Sequence, residues 1–118
     1  MKYYILIITI FIHMYEDDEV ALIIGELDEY EKRVLRLLGS LNISQHKNIR
    51  KETIKKRLPN KYGKKIDRTL NKLRTKGLLF PYRSNNYGLS ALGVIIAQKL
   101  VKDFRDQKYN DLKILMLI

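Results

Sequence analysis

The chain has 118 residues, which fits one domain with extra elements at its ends. Hydrophobic residues make up 46% of it, enough for a packed core and too many for a disordered chain. There is no Cys, which excludes disulfides and thiolate zinc sites and fits the reducing cytoplasm, the expected compartment.

The formal net charge is +10, and its distribution says more than its size. Residues 1–46 carry four basic and eight acidic residues, whereas Lys47 to Lys76 carry thirteen basic residues against two acids, Glu52 and Asp67. So focused a block points to a polyanion surface; the plainer alternative is a solvated, Lys-rich face.

In chain order, Tyr3 to Ile12 is an apolar run broken only by Thr9. It is shorter than the roughly 20 residues a membrane span needs, and the acidic Glu16-Asp17-Asp18-Glu19 follows it where a signal peptide would carry small residues. Its β-branched composition predicts a buried strand, as an added packing or dimerisation element. A natural start at Met14 is the other open reading. Val20 to Ile24 is a second short apolar run, ended by Gly25, and residues 1–26 are taken together as an N-terminal apolar segment.

Asp28 and Glu31 have the spacing of a capping box and predict a first helix over Asp28–Leu38. Ile54 and Leu58 share a face of a second helix over Ile49–Leu58, stopped by Pro59. Ile66, Leu70 and Leu73 mark the buried stripe of a third helix over Gly63–Lys76, with Gly77 as its left-handed cap. Leu78–Phe80 and Tyr87–Leu89 read as a hairpin around a turn at Pro81–Asn86. Ser90 caps a fourth helix whose apolar face is Leu92, Ile95, Ile96, Leu100 and Phe104. The C-terminal segment 108–118 is apolar after Lys113 and is expected to pack on something. The predicted class is mainly α with a small β-hairpin (α+β), in a central domain over 27–107.

Two runs of residues carry a family resemblance. Thr69-Leu70-Asn71-Lys72-Leu73-Arg74-Thr75-Lys76-Gly77-Leu78-Leu79 looks like the end of a recognition helix, and Tyr87-Gly88-Leu89-Ser90-Ala91-Leu92-Gly93 looks like a second wing strand with Ser90 in place of the usual Thr. Between about Asp28 and Leu100 the chain resembles the winged helix-turn-helix regulators of prokaryotes and archaea. The resemblance implies double-stranded DNA as partner, the third helix in the major groove and a wing contacting the flanking backbone or minor groove.

The charge pattern agrees with it. With the Ile66, Leu70, Leu73 stripe inward, Lys61, Lys64, Arg68, Asn71, Lys72 and Thr75 project away, with Lys65 on the flank. Arg68 suits bidentate contact with guanine and Asn71 with adenine, although half or more of such contacts go to the DNA backbone. Lys47, Arg50 and Lys51 stand at the start of the second helix, a place for a flanking phosphate. Arg83, Asn85 and Asn86 form the wing tip that the resemblance implies.

Catalysis finds little support. His13 and His46 are far apart in sequence, Glu16–Glu19 lacks the glycine of a calcium loop, and there is no phosphate-cradling glycine motif. No enzyme activity, cofactor, metal site or membrane span is expected. The leading expectation is a sequence-specific transcription regulator that binds DNA as a homodimer. The alternatives are a plasmid or viral replication factor or RNA-binding accessory protein, and a winged-helix protein-interaction module.

Overall fold

The computed structural model describes residues 15–117; the expected strand over Tyr3–Ile12, and His13 with it, lie outside them. The described chain opens with a π-helical turn, Tyr15–Val20, that runs into α1, Ala21–Gly25. The second apolar run is therefore helical, and Val20 is its fully buried anchor.

Asp28 starts α2, Glu29–Ser40, through the capping box that its spacing to Glu31 predicts. The Glu31 amide donates to Asp28 Oδ1 at 2.8 Å, and the Asp28 amide donates to Glu31 Oε1 at 3.1 Å. Together these satisfy two of the N–H groups that a helix start leaves orphaned. Leu27, Val34, Leu35 and Leu38 fill the buried stripe, and Glu31 lies in the same stripe, only 1% exposed.

The expected second helix begins later than its apolar spacing suggests. Ile49–Arg50 is extended as β1, pairing with Tyr87 and Asn86, and α3 covers Lys51–Lys56. Ile54 and Leu58 are buried, as their spacing requires. The third element is also divided. After Pro59 comes a single turn, α4, Asn60–Gly63; the helix is then interrupted at Lys64-Lys65, where Lys65 has φ -107° and ψ 18°, and α5 runs over Ile66–Thr75. Gly63 stands at that joint, where a glycine weakens helix continuity. Ile66, Thr69, Leu70 and Leu73 form the inward face of α5. Gly77 follows its end with φ +74°, and the Leu78 amide donates to the Leu73 carbonyl at 3.1 Å, the closure of a left-handed C-terminal cap.

β2, Leu79–Tyr82, and β3, Asn86–Leu89, form the hairpin, and β1 joins it to give a three-stranded antiparallel sheet in the order β1-β3-β2. The hairpin is longer than expected because Pro81 lies within β2, an edge strand where its missing N–H costs no ladder bond. The turn narrows to Arg83-Ser84-Asn85, with Arg83 and Asn85 at positive φ.

Ser90 links the sheet to the last helix. Its hydroxyl donates to the Gly77 carbonyl at 2.7 Å and accepts from the Gly93 amide at 3.0 Å, joining the end of α5 to the start of α6, Ala91–Leu117. α6 continues unbroken through residues 108–117. Its first half packs on α2, where Gln98 Nε2 donates to the Gly39 carbonyl at 3.0 Å. Its second half leaves Leu112, Ile114, Leu115, Met116 and Leu117 exposed, so the packing partner expected for this apolar end is not found among the described residues. The fold is mainly helical with a small antiparallel sheet, and among the described residues no helix is long and apolar enough to cross a membrane.

Candidate nucleic-acid interface

The basic block folds into the loop before β1, β1 itself, α3, the α4 turn and α5. On α5, burial of Ile66, Thr69, Leu70 and Leu73 leaves Arg68, Asn71 and Thr75 exposed at the centre of the opposite face. Beside them a groove of about 540 Å³ opens between α5 and β3, lined by Asp67, Arg68, Leu70, Asn71, Arg74 and Tyr87. Arg74 is the residue that sequence reasoning missed. It stands on the flank turned toward the sheet, and only the placement of β3 reveals that it shares a groove with Arg68 and Asn71.

The wing is held next to α3. The Lys51 amide donates to the Asn85 carbonyl at 2.9 Å, and Arg50 is paired with Asn86 in the β1–β3 register. Arg50, Lys51, Asn85 and Asn86 therefore form one surface. Lys51 Nζ reaches across to Asp67 Oδ1 of α5 at 3.0 Å, and this hydrogen bond raises its ammonium pKa above the ordinary lysine value. Arg83 lies over the Tyr82 ring, 5.3 Å from its centroid, at the exposed tip.

The remaining expected residues are spread more widely. Lys47 is exposed in the loop before β1, where its amide meets Ser44 Oγ at 3.2 Å. Lys61 sits over Tyr62 at 5.6 Å on α4, and Lys65 over Tyr30 of α2 at 5.0 Å. Lys64 is exposed between α4 and α5. The Thr75 hydroxyl is turned back on its own helix, donating to the Asn71 carbonyl at 2.9 Å.

Lys72 departs from the outward orientation read from its helical angle. It points to the start of α2, with Nζ 2.5 Å from Asp28 Oδ2 and 3.7 Å from Glu31 Oε1. Lys76 joins the same cluster at 2.7 Å from Glu31 Oε2. The Asp28 hydrogen bond raises the Lys72 pKa. Burial pushes the Asp28 carboxyl up, but the hydrogen bonds from Lys72 and from the Glu31 amide outweigh it and hold it below its ordinary value. This cluster fastens one flank of α5 to α2, and the charge of Lys72 is thereby engaged inside the protein. A helical wheel gives the angle of Lys72 about its own axis; it does not show that the first turn of α2 lies beside that flank.

Of the thirteen cations in Lys47 to Lys76, Lys51, Lys72 and Lys76 are ion-paired; among the described residues no carboxylate lies within ion-pair distance of the other ten. Among the described residues no group of three or more His, Asp or Glu side chains is placed to hold a metal ion. Comparison with known protein families, with curated proteins and with solved structures gives no match to this chain.

Proposed function

We propose that the protein is a winged helix-turn-helix transcription regulator of the cytoplasm that binds double-stranded DNA. The observation that carries this reading is the face of α5: Arg68 and Asn71 stand exposed at its centre, among cations that lack carboxylate partners within the described chain. Arg68 offers the planar fork that meets guanine O6 and N7, and Asn71 the amide that meets adenine N6 and N7. Lys64 and Arg74 supply phosphate contacts near the start and end of the helix. Arg50, Lys51 and the wing tip at Arg83, Asn85 and Asn86 form a second contact on flanking DNA.

The α2-β1-α3-α4-α5 order closed by a β1-β3-β2 sheet supports the winged-helix reading. A second copy of the chain, docked along the apolar distal half of α6, would give a two-fold arrangement with two α5 helices facing successive half-sites. The test is selection from a random duplex pool, followed by binding of Arg68→Ala to the selected site and to a scrambled duplex. A base-reading Arg68 loses about 1–3 kcal/mol on the selected site and little on the scrambled one. Failure to enrich any sequence would remove the specificity, and equal losses on both duplexes would make Arg68 a backbone contact.

A further inference from the structure

Away from the α5 face, α2 and the middle of α6 enclose two adjoining grooves of about 350 and 370 Å³ that share Arg33, Arg36 and Phe104. Arg36 lies over Phe104, its guanidinium carbon 3.6 Å from the ring centroid. Lys108 approaches the same ring at 4.7 Å, and Arg33 lies over Tyr62 at 6.0 Å. Lys32 lines the first groove beside them.

Stacking on a ring uses the flat face of a guanidinium and leaves its N–H edge unspent. Among the described residues no carboxylate lies within ion-pair distance of Arg33 or Arg36. Two carboxylates do line the first groove. Asp103 is engaged with Lys99 at 3.1 Å, and Glu29 stays beyond ion-pair distance of both arginines. Burial, with the charge of Arg33 adding to it, lowers the Arg36 pKa below its ordinary value. Two like charges thus line the same grooves, partly out of water, and among the described residues neither guanidinium has an ion-pair partner.

We infer that this groove binds a small phosphate-bearing anion between Arg33, Arg36 and Lys32. A phosphate fits better than a monocarboxylate because three cations line the groove against two carboxylates, one of them engaged with Lys99, and a dianion with several oxygens can meet two guanidinium forks at once. Tyr62 and Leu100 offer an apolar wall to whatever the phosphate is attached to. The site lies against Tyr62 of α4, the turn that leads into α5, and it stands independently of the DNA-binding reading.

The test titrates the full-length chain, at fixed ionic strength and pH 7, with inorganic phosphate, a nucleoside monophosphate and acetate, following the arginine Nε–H resonances by NMR. Saturable shifts of Arg33 and Arg36 with phosphate but not acetate are expected. Tighter binding of the nucleotide would assign the source as a phosphate ester, and equal binding would assign free phosphate. Arg33→Gln should weaken binding at least about tenfold, the loss of a charged hydrogen bond. Glu29→Gln should strengthen it, and this exposed position keeps the test sound if arginine variants fold poorly. Absence of saturation at about 10 mM, unchanged affinity in Arg33→Gln, or displacement of both phosphates by duplex DNA from these arginines would overturn the assignment.

Discussion

Removing the negative charge of Glu31 while keeping its shape tests how α5 is seated. Both carboxylate oxygens are used: Oε2 faces Lys76 Nζ at 2.7 Å, and Oε1 accepts from the Asp28 amide at 3.1 Å with Lys72 Nζ at 3.7 Å. The side chain is 1% exposed, so water cannot replace these partners, while the lysines are about a third exposed and can turn to solvent. Glu31→Gln keeps an acceptor for the Asp28 amide and loses the charged hydrogen bond to Lys76. Such a bond is worth about 1.5–3 kcal/mol, and the solvent available to Lys76 places the cost at about 2 kcal/mol. Lys76→Met leaves the carboxylate buried with Lys72 as its more distant cation and should cost about 3 kcal/mol. The double variant should cost about 3 kcal/mol as well, a coupling of about 2 kcal/mol. Urea unfolding at pH 7 reads all three, with the m-value unchanged. The exposed Lys99–Asp103 pair, treated the same way, should couple by no more than about 0.5 kcal/mol. Additive losses at Glu31 and Lys76 would refute the claim that this cluster holds α5 to α2.

Asp28 has a depressed folded-state pKa, so its contribution is present above its ordinary value near 3.8 and lost as pH falls through the folded value; Asp28→Asn should therefore narrow its stability deficit below about pH 4, which acid-range urea titrations will show. Lys72 has a raised pKa, so its contribution is present below 10.5 and lost only as pH rises past the folded value. Gly93→Ala would place a methyl 2.0 Å from the Leu78 carbonyl oxygen, which is backbone and cannot step aside; a loss of at least about 2 kcal/mol is expected in thermal unfolding, and a loss under 0.5 kcal/mol would contradict this packing. If the distal half of α6 docks a second copy, light scattering at micromolar protein will give a dimer mass, and Leu112→Lys with Met116→Lys will give a monomer.

Local spacing made much of the scaffold readable. Asp28 and Glu31 three apart, Gly77 after the last apolar residue of α5, and Ser90 before an apolar periodicity each encode a cap within a few residues, and each cap is present. The length of α6 was also open to reading, since neither Gly nor Pro occurs after Gly93. What spacing could not supply was the identity of distant neighbours. Ile49 and Arg50 become a strand because Tyr87 and Asn86 come to lie beside them, a tertiary pairing that overrides the helical pattern of Ile54 and Leu58. Within the candidate site, Arg68 and Asn71 follow from the helix period, whereas the engagement of Lys72 and the recruitment of Arg74 depend on which elements flank α5.

In the proposed reading, the α5 face holds duplex DNA. Fluorescence anisotropy of a labelled duplex across a salt series, for the parent chain and for Lys64→Ala, Arg68→Ala and Arg74→Ala combined, measures this contact, with circular dichroism to show that the variant is folded. Each neutralised phosphate adds about −0.9 to the slope of log affinity against log salt, so loss of Lys64 and Arg74 should flatten the slope by about two units while affinity falls. Lys72 is left out of the combination because its ion pairs with Asp28 and Glu31 would confound binding with stability. A folded triple variant with the parent's affinity and salt slope would contradict the assignment of α5 as the DNA-binding element.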